Sequence, residues 1–425
     1  MNASSPASVL RPSHESVLSL VRSEQKRRRR TISLTANENV LSNTARMLGT
    51  GPEYDRYYFN CRFPINSRYA GNYNGMEVES FPEIDMLKLC ASHAAAALFG
   101  APYVEYRVLS GVHCTISSIA SLTKAGQAVI SIASDSGGHF ATPHIVEKLG
   151  RRSLGLRLNG FEFDLDALKR TIAPVLGTVG MVLIDHGMTT SPIPVRRLRS
   201  FLDEWGLARI PIIYDASHTL GLIAGGVFPN PLDEAAAVLQ GNTHKSFPGP
   251  HRALMLTRDE RIFRQLSEGI SFGFTSSPGL HSLIELFVSL LEMERFAGRY
   301  AARMIDNASL ITDALCGEQG WAPQATATHM VLVQSDRSAA IVRRLNEFGI
   351  RANNKVLDGR SYIRLGTQEV TRLGIDADEL ACLCELIGSV GRGLDGSHER
   401  RLFNDIACQL RRVHYSFDEQ QDLHQ

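Results

Sequence analysis

From about residue 100 to residue 256 the chain alternates short apolar runs with segments of helical period, and no other feature constrains its fold as strongly. Residues 104–109, 128–133, 181–185 and 212–215 read as strands, and 81–99 reads as a core helix. Strands joined by helical crossovers run parallel and are covered on both faces, so the pattern predicts an α/β fold with a mostly parallel sheet. Ligands of such sheets bind outside the carboxyl ends of the strands. Four polar residues fall at such ends: Ser110, His139, Asp215 and Lys245.

Lys245 stands among small and hydroxylated residues in Thr243-His244-Lys245-Ser246, ahead of the turn Pro248-Gly249-Pro250. Asp215 closes the strand before, in Tyr214-Asp215-Ala216-Ser217-His218. A lysine amine forms a Schiff base with pyridoxal phosphate, and a carboxylate keeps the pyridine nitrogen protonated so that the ring accepts electrons. Ser110-Gly111-Val112-His113 opens a helix, where backbone N–H groups and the helix dipole can hold a phosphate. In Ser136-Gly137-Gly138-His139 two glycines precede a histidine and leave room for a flat ring.

The stretch 241–252 resembles the lysine motif T-T-T-T-H-K-T-L-x-G-P-R of the fold-type I serine hydroxymethyltransferase superfamily, and 215–231 resembles its aspartate motif D-M-A-H-x-x-G-L-x-A-G-x-x-P-N-P. The resemblance runs from about Ser33 to Gly374. It implies an aspartate aminotransferase-like fold with a mostly parallel seven-stranded sheet in a large domain and a smaller α/β C-terminal domain. The expected divisions are an arm at 1–50, the large pyridoxal-phosphate domain at 51–290 and the small domain at 291–425. It also implies that Lys245 carries the cofactor, that Asp215 meets its ring nitrogen and that His139 stacks on the ring. Ser110, Gly111 and Val112 would hold the phosphate, with His218 and His244 beside the ring. Ser276 and Ser277, in a loop resembling G-G-x-G-G-P-L-x-H, would reach the phosphate of the neighbouring subunit in a homodimer with shared sites. Arg364, in Ser361-Tyr362-Ile363-Arg364-Leu365-Gly366-Thr367, would bind the amino-acid carboxylate bidentately. Asn37 stands where the family has a serine touching the same group.

The departures from the family pattern are informative. Aligned on Phe63-Pro64, Cys61 takes the place of a catalytic glutamate and Phe59 that of a tyrosine, with Tyr57 or Tyr58 able to supply a phenol if the register slips. A cysteine has a reference pKa of about 8.5 against about 4.3 for glutamate, and cannot replace it as a proton carrier. Arg68-Tyr69-Ala70-Gly71 keeps only the first tyrosine of R-Y-Y-G, and Gly187 falls where a serine often lies near the cofactor's phenolic oxygen. The segment 353–363 lacks the stretch that contacts folate. The chain thereby resembles the L-threonine transaldolases, which cleave threonine and join the glycine carbanion to another aldehyde. Serine/glycine hydroxymethyl transfer, folate-dependent or in an α-substituted-serine variant, and simple threonine aldolase chemistry are the alternatives, and the intact Lys245, Asp215 and Arg364 argue against a scaffold without turnover.

The 45 Lys and Arg balance 44 Asp and Glu, so no overall field points to nucleic acid or a membrane surface. No apolar run approaches the roughly 20 residues that span a bilayer, and 1–20 lacks a signal-peptide core, which predicts a cytoplasmic protein. The basic run Lys26-Arg27-Arg28-Arg29-Arg30 reads as a solvated arm. The seven cysteines read as reduced core thiols, and Tyr415-Ser416-Phe417-Asp418 as a docking end of the tail.

Overall fold

The apolar runs form a seven-stranded sheet of β1 (Tyr103–Glu105), β2 (Ala128–Ile132), β3 (Arg152–Leu156), β4 (Val179–Ile184), β5 (Ile212–Asp215), β6 (Val238–Asn242) and β7 (Ala253–Thr257). The computed structural model describes residues 13–58, 69–73, 76–79, 81–275 and 277–421. Strand order is β1-β7-β6-β5-β4-β2-β3, and β7 runs antiparallel to both of its neighbours. Alternate side chains enter opposite layers. Ile130, Ile132, Val182, Ile184 and Ile212 join one apolar cluster, while Val129, Met181, Leu183 and Ile213 join another. Burial on both faces is what made these strands read as unbroken apolar runs.

A four-stranded antiparallel sheet forms the C-terminal unit from β8 (Ala322–Pro323), β9 (Met330–Gln334), β10 (Asn353–Leu357) and β11 (Arg360–Gly366), in the order β8-β9-β11-β10. Helix Leu280–Leu315 serves both units: Leu283, Phe287 and Met293 pack in the large core, and Ala308, Ile311 and Leu315 in the small one. At 36 residues it spans about 54 Å at 1.5 Å per residue. The segment before the large domain also joins the small unit, since Ile32 pairs with Ile350 and both Ile32 and Leu34 lie in its core. Residues 32–34, within the expected arm, and the helix that crosses the expected division at 290 thus pack against the C-terminal core.

The tail docks on the chain itself. Asp418 accepts hydrogen bonds from the Asn43 and Thr44 amides at 2.8 Å, capping the helix Asn43–Leu48. Phe417 donates its amide to Glu292, which pairs at 3.0 Å with Arg372; both side chains are fully buried. Removing one member of such a pair strands a charge in the core. Arg372→Met is expected to lower unfolding free energy in urea by about 3–5 kcal/mol, with Arg372→Met/Glu292→Met recovering most of it. A loss of a few tenths of a kcal/mol would show that the pair is not a buried charge pair in solution.

Two expectations change at this level. Cys90, Cys316 and Cys408 are exposed, whereas Cys114 and Cys384 are buried; these and Cys382 are all free thiols. The pair Gly137-Gly138 serves packing within the protein. A Cβ on Gly138 would lie 2.0 Å from the Ile132 carbonyl, and one on Gly137 2.3 Å from the His186 ring. Among the described residues, no helix is long and apolar enough to cross a membrane.

Candidate active site

The carboxyl ends of β4, β5 and β6 open on one cleft, bordered also by Gly111, Val112 and His139. Asp215, the last residue of β5, accepts from the Ser217 amide at 2.8 Å and from Gln240 Nε2 at 3.2 Å. Gln240 is held in turn by Ser118 and Thr115, so the carboxylate has one orientation. Lys245 follows β6 in a loop tied by Thr243 Oγ1 to the Pro250 carbonyl, and by Asn39 Nδ2 to its own carbonyl at 2.6 Å. Its Nζ lies 3.2 Å from Nε2 of His218.

Burial pushes the Lys245 amine down to about 8; the cations Arg364 and Lys355 add to this and Asp215 opposes it. Burial, followed by the nearby Lys245 charge, likewise holds His218 neutral. A neutral amine is the nucleophile toward an aldehyde. Covalent uptake of pyridoxal phosphate by the cofactor-free protein should therefore accelerate about tenfold per pH unit below 8 and level off above it, as followed by stopped-flow absorbance. A rate still rising at pH 10 would contradict a depressed amine.

Ser110 caps the helix Gly111–Leu122, its hydroxyl accepting from the His113 amide, and the Gly111 amide donates to Asn242 at 2.8 Å. A Cβ on Gly111 would meet Asn242 Nδ2 at 2.6 Å, so only glycine lets the helix start this close to β6. His139 lies at the mouth, stacked on Phe140 at 4.9 Å. His244 borders the lysine in sequence but packs against His251 at 4.0 Å instead of facing the cleft.

Arg364 rises from β11 on the opposite wall. It donates to Asn37 Oδ1 at 2.7 Å, Asn353 Oδ1 at 3.0 Å and the Gly187 carbonyl at 3.1 Å. None of these acceptors is charged, among the described residues its Nε has no partner, and burial lowers its pKa to about 10. Asn37 turns its oxygen to Arg364, which leaves the amide hydrogens to donate outward.

Some expected residues lie elsewhere. Tyr58 is buried against Phe81 and donates to Asp85 at 2.6 Å, in the large-domain core and away from the cleft. Phe59, Cys61 and Ser276 lie outside the described residues, and Tyr69 is placed by its backbone alone, in the strand Tyr69–Tyr73. Ser277 is half-buried in the loop before helix Leu280–Leu315. Asp185 borders the cleft without having been expected there. It follows β4 in register beside Asp215 and accepts from Thr142 at 2.5 Å, and among the described residues its Oδ1 has no partner. Burial raises its pKa to about 7, and the charge of Asp215 adds to the shift. Only the strand order could have revealed it.

The family model for serine hydroxymethyltransferase matches residues 10–387. The chain belongs to the serine hydroxymethyltransferase family. It is 34% identical to the fluorothreonine transaldolase of Streptantibioticus cattleyicolor over 87% of its length, but spans only 59% of that protein. It is 34% identical to an L-threonine:uridine-5'-aldehyde transaldolase of a Streptomyces species, covering 80% of each chain. Serine hydroxymethyltransferase of Pyrobaculum arsenaticum is 30% identical, with 93% of each chain covered. Among solved structures, an L-threonine transaldolase of Pseudomonas fluorescens in its internal aldimine state superposes with a TM-score of 0.84, at 24% identity and over 96% of this chain and 94% of that one. The fold is thus fold-type I, and the cofactor is pyridoxal phosphate. The rim fits it: a depressed lysine amine, a fixed carboxylate, a glycine-opened helix N-terminus and the unpaired buried atoms Asp185 Oδ1 and His218 Nδ1.

Proposed function

We propose that this enzyme is an L-threonine transaldolase-like aldol transferase, which cleaves a β-hydroxy-α-amino acid and joins the glycine unit to an acceptor aldehyde. Lys245 would hold the cofactor, with Asp215 at its ring nitrogen, His139 against the ring, and Ser110, Gly111 and Val112 at the phosphate. The cofactor supplies an electron sink for the carbanion left at Cα. Arg364 and Asn37 would fix the substrate carboxylate, and so set which bond at Cα stands perpendicular to the ring. Ser277 and Ser276 would complete the site of a partner subunit in a cytoplasmic homodimer.

The observation that carries the aldehyde over folate is the hairpin β10–β11. Its strands are joined by Asp358-Gly359 alone, at φ 48° and 72°, the left-handed pair of a two-residue hairpin turn. Nothing projects from it where the folate enzymes carry their folate-contacting stretch. The two transaldolases among the relatives support the same reading. Threonine labelled with carbon-13 at C1 and C2 should yield an adduct with an added aldehyde that carries both labels, with one acetaldehyde released per adduct. Release of labelled glycine alone, with every aldehyde tried, would reduce the activity to a threonine aldolase.

The matched serine hydroxymethyltransferases favour a second reading, folate-dependent interconversion of serine and glycine. It would require another contact to replace the missing stretch.

A further inference from the structure

We propose that Lys355 is the proton carrier at the β-oxygen of the substrate, a catalytic residue in both cleavage and addition; this rests on the aldol reading above. Side chains on a strand alternate between faces, and Asn353, Lys355 and Leu357 share one face of β10. Asn353 uses that face to accept from Arg364, and Leu357 uses it to line a cavity with Phe161 and Tyr362. Lys355 lies between them, opposite Tyr362 in the ladder. The hairpin tip is tied to the loop leading to His139, through the Asp358 amide on the Asp135 carbonyl at 3.2 Å.

The order along the hairpin matches the order of groups in a β-hydroxy amino acid. Arg364 marks the carboxylate end. The cavity, of about 200 Å³, suits the substituent on Cβ, since an engineered apolar cavity of about 150 Å³ takes up benzene. Lys355 stands between, where the oxygen on Cβ belongs.

The charges around Lys355 suit the role. Among the described residues its ammonium has no ion-pair or hydrogen-bond partner. It lies near enough to Lys245 and His139 for its charge to lower the pKa of both. The groups facing it are Arg364 and Tyr362 from β11, and Lys245 and His139 from the large domain, while Asp135 is paired with Arg157. Lys355 is exposed on its strand, and partial desolvation, followed by the charge of Arg364, lowers its pKa and eases release of its proton. In cleavage the neutral amine takes the β-hydroxyl proton as the Cα–Cβ bond breaks; the electron pair stays on Cα and the aldehyde leaves. In addition the ammonium returns that proton to the acceptor oxygen as the new Cα–Cβ bond forms. Nothing is oxidised or reduced.

Three rates test this on the holoenzyme: exchange of the glycine α-proton in deuterium oxide, threonine cleavage, and adduct formation with benzaldehyde. Glycine exchange needs Lys245, Asp215 and Arg364 but involves no β-oxygen. Lys355→Met should lose cleavage and addition by roughly 10²–10⁴-fold more than it loses exchange, with partial rescue by added methylamine. Lys355→Arg should fail likewise, because a guanidinium does not release its proton. Should Lys355→Met not fold, Lys355→Cys alkylated with 2-bromoethylamine should regain cleavage that the unalkylated thiol lacks. Equal losses in exchange and cleavage, or full activity of Lys355→Arg, would overturn the assignment. If the unmodified protein cleaves threonine but adds to no aldehyde, the transfer reading fails, and cleavage alone decides the role of Lys355.

Discussion

Lys245→Ala protein, mixed with excess pyridoxal phosphate, should bind it reversibly, show no visible absorbance from covalently attached cofactor, and cleave threonine only at background. Lys245 is a buried amine pushed down to about 8, with Nζ 3.2 Å from His218, at the end of β6 next to the strand that ends in Asp215. Lysine is both the attachment point and a base close to Cα, so two contributions vanish together. Loss of the base alone is worth roughly 10²–10⁴-fold. Asp215 and the helix Gly111–Leu122 remain, which is why cofactor should still bind without the covalent link. An unchanged visible absorbance that borohydride abolishes while fixing the cofactor on another lysine would remove Lys245 from this role.

Arg364→Ala should weaken threonine and glycine binding by about 30- to 5,000-fold, the equivalent of 2–5 kcal/mol for a desolvated charge losing its partner. Among the described residues its guanidinium touches three neutral oxygens and no carboxylate, so a buried cation stands ready for an anion. Arg364→Lys should recover only part of the affinity, because an ammonium cannot make the paired contacts of a planar fork. Cofactor affinity should change little in either variant. Amino-acid dissociation constants from spectral titration check this, and an unchanged constant for Arg364→Ala would place the carboxylate elsewhere.

Lys245, Asp215 and His139 were legible because each closes or follows a recognisable apolar run, and parallel strands bring their ends to one rim, whereas Arg364 was legible only through the motif around it. Strand 212–215 was read at its observed bounds, and helix Pro82–Phe99 to within a residue. Other features depend on neighbours that are distant in sequence. Asp185 lies beside Asp215 only because β4 pairs with β5, 30 residues away. Lys355 is exposed, and only the pairing of Asn353 with Arg364 shows that it shares their face of the strand. Gly137 and Gly138 looked like room for a ring, yet their space is filled by Ile132 and His186. Tyr58 had the right chemistry and the wrong direction, since Asp85 and Phe81 hold it in the core.

In the proposed reaction the acceptor is a free aldehyde and folate has no part. This is tested most directly by measuring two rates on one preparation, each with and without tetrahydrofolate: adduct formation from threonine and an added aldehyde, and conversion of serine to glycine. Adduct formation should be rapid and equal in both conditions, and serine conversion should stay slow when tetrahydrofolate is present. Fast, tetrahydrofolate-dependent conversion of serine, with no adduct from any aldehyde, would contradict the proposed reaction.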